Sequence, residues 1–224
     1  MRNICSLVNL CTKPAAAMAS IAACYGKTAL LLALFSFAAC VISFVTPYWL
    51  VSWAQKQSTF TRIGMWEVCF TAFTDPKQYA YRYYSGCWWI YHSELDDVRQ
   101  MLNPDWFKAV QAFSVFTLFS SFLALICLLI ARGKVNYRIE CNIVGAIFAL
   151  ITVLTSALSV IIFGACAKDP QQYRLPMPQY NYFGASFGMM ILCCLSAGFC
   201  FAFALSEMTL LQDEKEEDEK YRRR

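Results

Sequence analysis

One histidine and twelve cysteines are the residues whose types could do chemistry in this chain. His92 stands with Glu94, Asp96 and Asp97 in the stretch HSELDD, a set of nitrogen and oxygen donors from which a metal site could be built. The same four residues also read as the polar first turn of a short helix, with Ser93 as its cap, and that reading is preferred. No CxxC or HExxH zinc pattern and no glycine-rich phosphate loop is present. The apolar stretches hold no acid or base of the kind that marks a pump or an ion-coupled transporter. The expectation is therefore no enzyme, no cofactor, no metal and no nucleic-acid partner.

The cysteines divide by surroundings. Cys69 and Cys87 are the only pair well inside a polar loop, and an oxidising exterior would favour a disulfide between them. Such a bridge closes a loop of about 19 residues, which the chain-entropy relation values at roughly 3 kcal/mol. Cys40, Cys193, Cys194 and Cys200 fall in apolar runs and read as small packing residues. Cys24, Cys127 and Cys141 sit at the inner boundary of such runs, where cysteine can be palmitoylated.

The elements that must position these residues follow from charge patterning. The 224-residue chain is 58% hydrophobic and 15% charged, a departure toward membrane composition. Crossing the hydrocarbon core takes about 20 mostly apolar residues. Windows at about 28–45, 110–130, 143–166 and 184–205 meet that need. The stretch SFAAC resembles the box before a lipoprotein cysteine, but VISFV carries the apolar run past Cys40, so the first window stays as a span. Residues 1–27 then form an N-terminal segment, 28–206 a four-span domain and 207–224 a charged tail, whose charge run from Gln212 is read as solvated and mobile.

The short segment RGKVNYRIE, with Arg132, Lys134 and Arg138 against one acid, places the middle loop and both termini in the cytoplasm. Residues 46–109 and 167–183 become outer loops. In the first, STFTRIGMWEVCFTAF and YAYRYYSGCWWIY read as strands of a hairpin, and the second loop has room to add one more strand. Tyr48, Trp49 and Trp53 read as membrane-interface anchors. The fold class is membrane α-helical: a four-helix transmembrane bundle with a small extracellular antiparallel β-sheet.

Several motifs carry a family resemblance: Trp49 two residues after Pro47, then Gly64-Met65-Trp66, two residues, Cys69, and finally Cys87. VGAIF at 144–148 and the Pro-x-Pro and Tyr-x-x-Gly pattern at 176–184 extend it. The chain thus resembles the claudins, within the superfamily that includes peripheral myelin protein and auxiliary γ subunits of channels and receptors. The resemblance implies that Trp49 and Trp66 anchor an outer sheet to the helix ends and that Cys69–Cys87 staples it. It implies a junction protein that forms or organises a paracellular barrier, at lateral cell contacts of the plasma membrane. Its partners would be itself or other claudin-like proteins, in cis and in trans, besides membrane lipid.

Contact would then fall to Tyr79, Tyr81, Tyr83 and Tyr84 of the first loop and to Tyr173 and Tyr180 of the second. The first loop carries six bases and six acids, which gives no ground for an ion-selective pore. The alternative implied function is an auxiliary subunit modulating a channel or receptor in the same membrane. The long Cys69–Cys87 spacing, the long N-terminal segment and the end YRRR resemble invertebrate septate-junction members. That terminus also lacks the Tyr-Val type end through which members bind scaffold domains, so scaffold attachment there is not expected.

Overall fold

The computed structural model describes residues 14–53, 58–74, 83–133 and 138–223. Four long helices form the bundle: α1 (Pro14–Val45), α3 (Asp105–Gly133), α4 (Arg138–Cys166) and α5 (Ala185–Arg222), with a short α2 (Asp96–Leu102) before α3. Each long helix contains a stretch apolar and long enough to cross a membrane. The N-terminal lead is helical from Pro14 onward, so α1 begins well before the apolar window. The charged tail is helical as well, through Arg222. Its Glu and Lys residues are strong helix formers and continue the helix they follow, in place of the loose segment expected.

Five strands make one antiparallel sheet at the far end from the termini: β1 (Leu50–Ser52), β2 (Phe60–Ile63), β3 (Glu67–Thr74), β4 (Tyr83–Trp89) and β5 (Asn181–Phe183). Their order is β4-β3-β2-β1-β5. The stretch expected as one strand, 58–73, instead folds back at Gly64–Trp66 into β2 and β3, and β3 forms the hairpin with β4, with Cys69 directly opposite Cys87. The second loop contributes β5, which pairs with β1. Before α2, a 3₁₀ turn (Ser93–Leu95) is capped by the His92 side chain, which accepts from the Glu94 amide; Ser93 is not the cap. The imidazole Nδ1 already has the acceptor geometry that a cap needs.

Two packed cores hold the bundle. One joins the sheet to the helix ends beneath it: Trp49, Phe60, Ile63, Met65 and Val68 meet Phe107, Phe163, Phe187 and Met190. The other, nearer the termini, is built from small residues, with Ala29, Ala33, Ala124, Ala149 and Ala204 around Leu128. Small side chains let helices approach closely. Between α3 and α4 a ladder of hydroxyls crosses the interface: Ser114 to Ser159 at 3.4 Å, Thr117 to Thr155 at 2.9 Å and Ser120 to Thr152 at 2.8 Å. Two pairs of small residues four apart, Ala29 with Ala33 and Gly145 with Ala149, lie in this packing. Gly184 instead abuts the Tyr48 carbonyl, where a side chain would collide with backbone.

Candidate functional site

The junction of sheet and bundle is built around a proline. Pro47 has no N–H, so the Ser43 carbonyl, four residues back at the end of α1, loses its helical donor. The Trp49 indole supplies one: Nε1 donates to the Ser43 carbonyl at 2.8 Å. This is the physical content of the Pro-x-Trp spacing. Trp49 is fully buried, edge-on to Phe163 at 4.9 Å and to Phe187 at 5.8 Å. Its main chain donates to Ile63 and accepts from Gly184. It is therefore a protein-core residue, not the lipid-interface anchor expected of it; three helices converge on one indole and exclude lipid. Trp53, by contrast, is 78% exposed and meets Tyr182 edge-on.

The β2–β3 turn, Gly64-Met65-Trp66, has an equally local cause. The Gly64 amide donates to the Glu67 carbonyl at 2.8 Å. A Cβ at Gly64 would lie 2.9 Å from the Thr46 carbonyl oxygen, besides striking Pro47, so only glycine fits. The Met65 carbonyl accepts from Gln111 Nε2 at 2.6 Å, Gln111 Oε1 accepts from the Tyr91 hydroxyl at 2.7 Å, and that hydroxyl accepts from Asn103 at 3.0 Å. Trp66 is half-buried, with its ring 5.2 Å from Phe44 of α1 and stacked on Trp89 at 5.8 Å.

Cys69 and Cys87 are bonded to each other across β3 and β4. Glu67 lies close to both sulfurs, but bonded sulfurs are no thiolate ligands, so the three do not make a metal site. Among the described residues, His92, Glu94, Asp96 and Asp97 do not converge to ligand distance of one another. Arg99 pairs with Asp96 and donates to the His92 carbonyl, and Trp88 lies edge-on to the imidazole. This is the helix-start role. Serine at either Cys69 or Cys87 is expected to cost about 3 kcal/mol through the freed 18-residue separation. The check is the thermal midpoint of the detergent-purified chain; a double replacement should equal either single one.

The candidate contact residues separate by face. Tyr83 is 72% exposed, whereas Tyr84 is buried against Phe70 and Phe73. Neighbours in a strand point to opposite faces, so the two could not share a surface. Tyr173 is also buried, its hydroxyl donating to the Leu102 carbonyl at 3.0 Å and its ring edge-on to Trp106 at 5.1 Å. Burial holds that phenol well above its usual pKa. Tyr84 and Tyr173 are therefore removed from the contact surface. Tyr180 is exposed, and Tyr79 and Tyr81 lie outside the described residues. Trp53, Trp89, Tyr91 and Tyr182 are exposed aromatics that the sequence reading did not place there. The alternation within β4 would have flagged Trp89, two and six residues from Cys87 and Tyr83.

At the opposite end the structure places a charged cluster that sequence reasoning missed. Glu207 is fully buried, and its carboxylate pairs with both Arg132 and Arg138. Asn142 Nδ2 adds a donor at 2.8 Å. Gly26 of α1 leaves the notch in which the Arg132 guanidinium lies. The sequence assigns Glu207 to the start of the charged tail. The signal lay in Cys200, Ala204, Glu207 and Leu211, which follow helical spacing along one face and are all buried.

A membrane-spanning four-helix bundle carrying a disulfide-stapled, five-stranded sheet at one end defines a claudin-like tetraspan membrane protein. The chain belongs to the family described as PMP-22/EMP/MP20/Claudin tight junction, which matches residues 34–207. That match runs from within α1 to Glu207 itself. No individual curated protein matches the chain.

Proposed function

We propose that the protein is a structural component of cell junctions. It forms or organises a paracellular barrier through contacts of its sheet-bearing end, in cis with neighbours in one membrane and in trans with the apposed cell. The observation that carries this reading is the pair of aromatic edges on a braced sheet. Tyr83 and Trp89 are exposed on edge strand β4, and Trp53, Tyr180 and Tyr182 are exposed around β5 at the other edge. Large rigid aromatics supply contact area at little entropic cost. Family membership supports the same reading. Its partners would be further copies or other claudin-like chains, at lateral contacts of the plasma membrane, with both termini cytoplasmic. The septate-junction type, the absence of an enzymatic step and a barrier in preference to a pore belong to the same proposal. Of the three candidate acylation sites, Cys24 is exposed while Cys127 and Cys141 are half-buried, which favours Cys24.

The test is a tagged chain expressed in junction-free cells mixed with untransfected neighbours. Enrichment is expected only where two expressing cells touch, and Trp89→Ala with Tyr83→Ala should weaken it without reducing surface delivery. Uniform surface staining, with a channel or receptor co-purifying, would replace this reading with the auxiliary-subunit one.

A further inference from the structure

The charged cluster at the end of the bundle that carries the termini opens on a groove. Its volume is about 570 Å³, between α1, the end of α3 and the start of α4. Lys27, Arg132 and Arg138 line it, together with Leu30, Leu31 and Ala131, and among the described residues no acid lines it. Glu207 stands behind the two arginines, fully buried, and neutralises one of them. With Lys27 the group keeps two positive charges. The arginine side chains are 18% and 28% exposed, so each keeps part of its surface open to the groove while the buried carboxylate holds it in place. Arg132 Nε is buried without a hydrogen-bond partner.

The walls change character along α1. Lys27 is the last charge before the uncharged run, and Leu31, Leu34 and Phe35 follow it with exposed side chains. A ligand that fits both parts has an anionic head and an apolar chain.

We propose that this groove binds the headgroup of an anionic phospholipid from the leaflet on the side of the termini. The phosphate would lie against Lys27, Arg132 and Arg138, and an acyl chain would lie along Leu30, Leu31 and Leu34. Guanidinium and ammonium groups held at a helix boundary favour phosphate, and basic pockets between spans on this side of a membrane suit anionic heads. The inference goes beyond the junction reading and needs only the bundle.

The experiment uses the full chain in nanodiscs of equal parts phosphatidylcholine and phosphatidylserine, with the lipids retained by the released protein read by native mass spectrometry. Retained lipid is expected to be enriched in phosphatidylserine. Lys27→Gln, an exposed position, should reduce the enrichment about five-fold, the factor for one basic group at a charged leaflet. Lys108→Gln, at the opposite end beside Asp105, should leave it unchanged. Soluble glycerophosphoserine should not displace the lipid. Retention of the two lipids in equal parts, or equal losses from Lys27→Gln and Lys108→Gln, would overturn the site. Displacement by glycerophosphoserine would make the ligand a free headgroup phosphate and overturn the lipid assignment.

Discussion

Alanine at Trp49 is expected to destabilise the protein by about 4 kcal/mol, the scale for emptying a fully buried indole site. Three losses coincide there. The ring contacts with Phe163 and Phe187 disappear. The cavity opens in the core that joins sheet to bundle. The Ser43 carbonyl, which Pro47 already deprives of its helical partner, is left without the indole donor. Trp49→Phe separates these terms. It keeps most of the ring packing and removes the indole donor, so about 1–2 kcal/mol of loss is expected. Trp66→Ala should cost roughly half as much as Trp49→Ala, because Trp66 is half-buried and its exposed portion gains little from burial. The measurements are the thermal midpoint in detergent and the fraction delivered to the cell surface. If Trp66→Ala proved the more damaging of the two, the assignment of Trp49 as the joint between sheet and bundle would be wrong.

Glu207→Leu should cost about 3–5 kcal/mol, because it leaves two guanidiniums at a protein interior without their counter-charge. The partial exposure of Arg132 and Arg138 puts the value toward the lower end. The sign of the companion variant is the sharper test. Replacing Glu207, Arg132 and Arg138 together with leucine removes the desolvation cost of the whole group, and such exchanges are often neutral or stabilising. The triple variant is therefore expected to melt above the single one. It should at the same time lose the preference for anionic lipid. A single variant that melts like the parent chain would show that the cluster does not hold α3, α4 and α5 together.

The family motif has a mechanical explanation at each position. Pro47 ends α1 and orphans a carbonyl, Trp49 takes it up, Gly64 lets the β2–β3 turn press on Pro47, and the Cys69–Cys87 bond ties β3 to the edge strand. Gly184 then admits the Tyr48 carbonyl, while the amides of Gly184 and Ser186, at the start of α5, are taken up by Trp49 and Tyr48. The motif thus describes how the first and last spans are locked under one sheet. This brace leaves both sheet edges free to present their aromatics, as the junction reading needs.

What the sequence by itself determined is what depends on composition and short spacing. Four uncharged windows cannot be anything other than spans once charge is scarce over about 20 residues. The disulfide was legible because only two cysteines share the large polar loop, and the β3–β4 hairpin because β-branched and aromatic residues flank the turn formers Asp75 and Pro76. Whether Tyr83 or Tyr84 faces out was not legible. Alternation puts Tyr83, Cys87 and Trp89 on one face, but which face packs inward is decided by β3, where an extra residue between Phe70 and Phe73 lets both rings meet Tyr84. The placement of Trp49 also required tertiary structure. An aromatic after a span looks alike whether it faces lipid or protein, until Phe163 and Phe187 close over it. The Glu207 cluster is the clearest case. Its partners are 75 and 69 residues away, and a single acid at the end of an apolar run looks like the start of a tail. Only the packing of three helices brings two arginines to it, and only that desolvation turns an ordinary charge into a structural one.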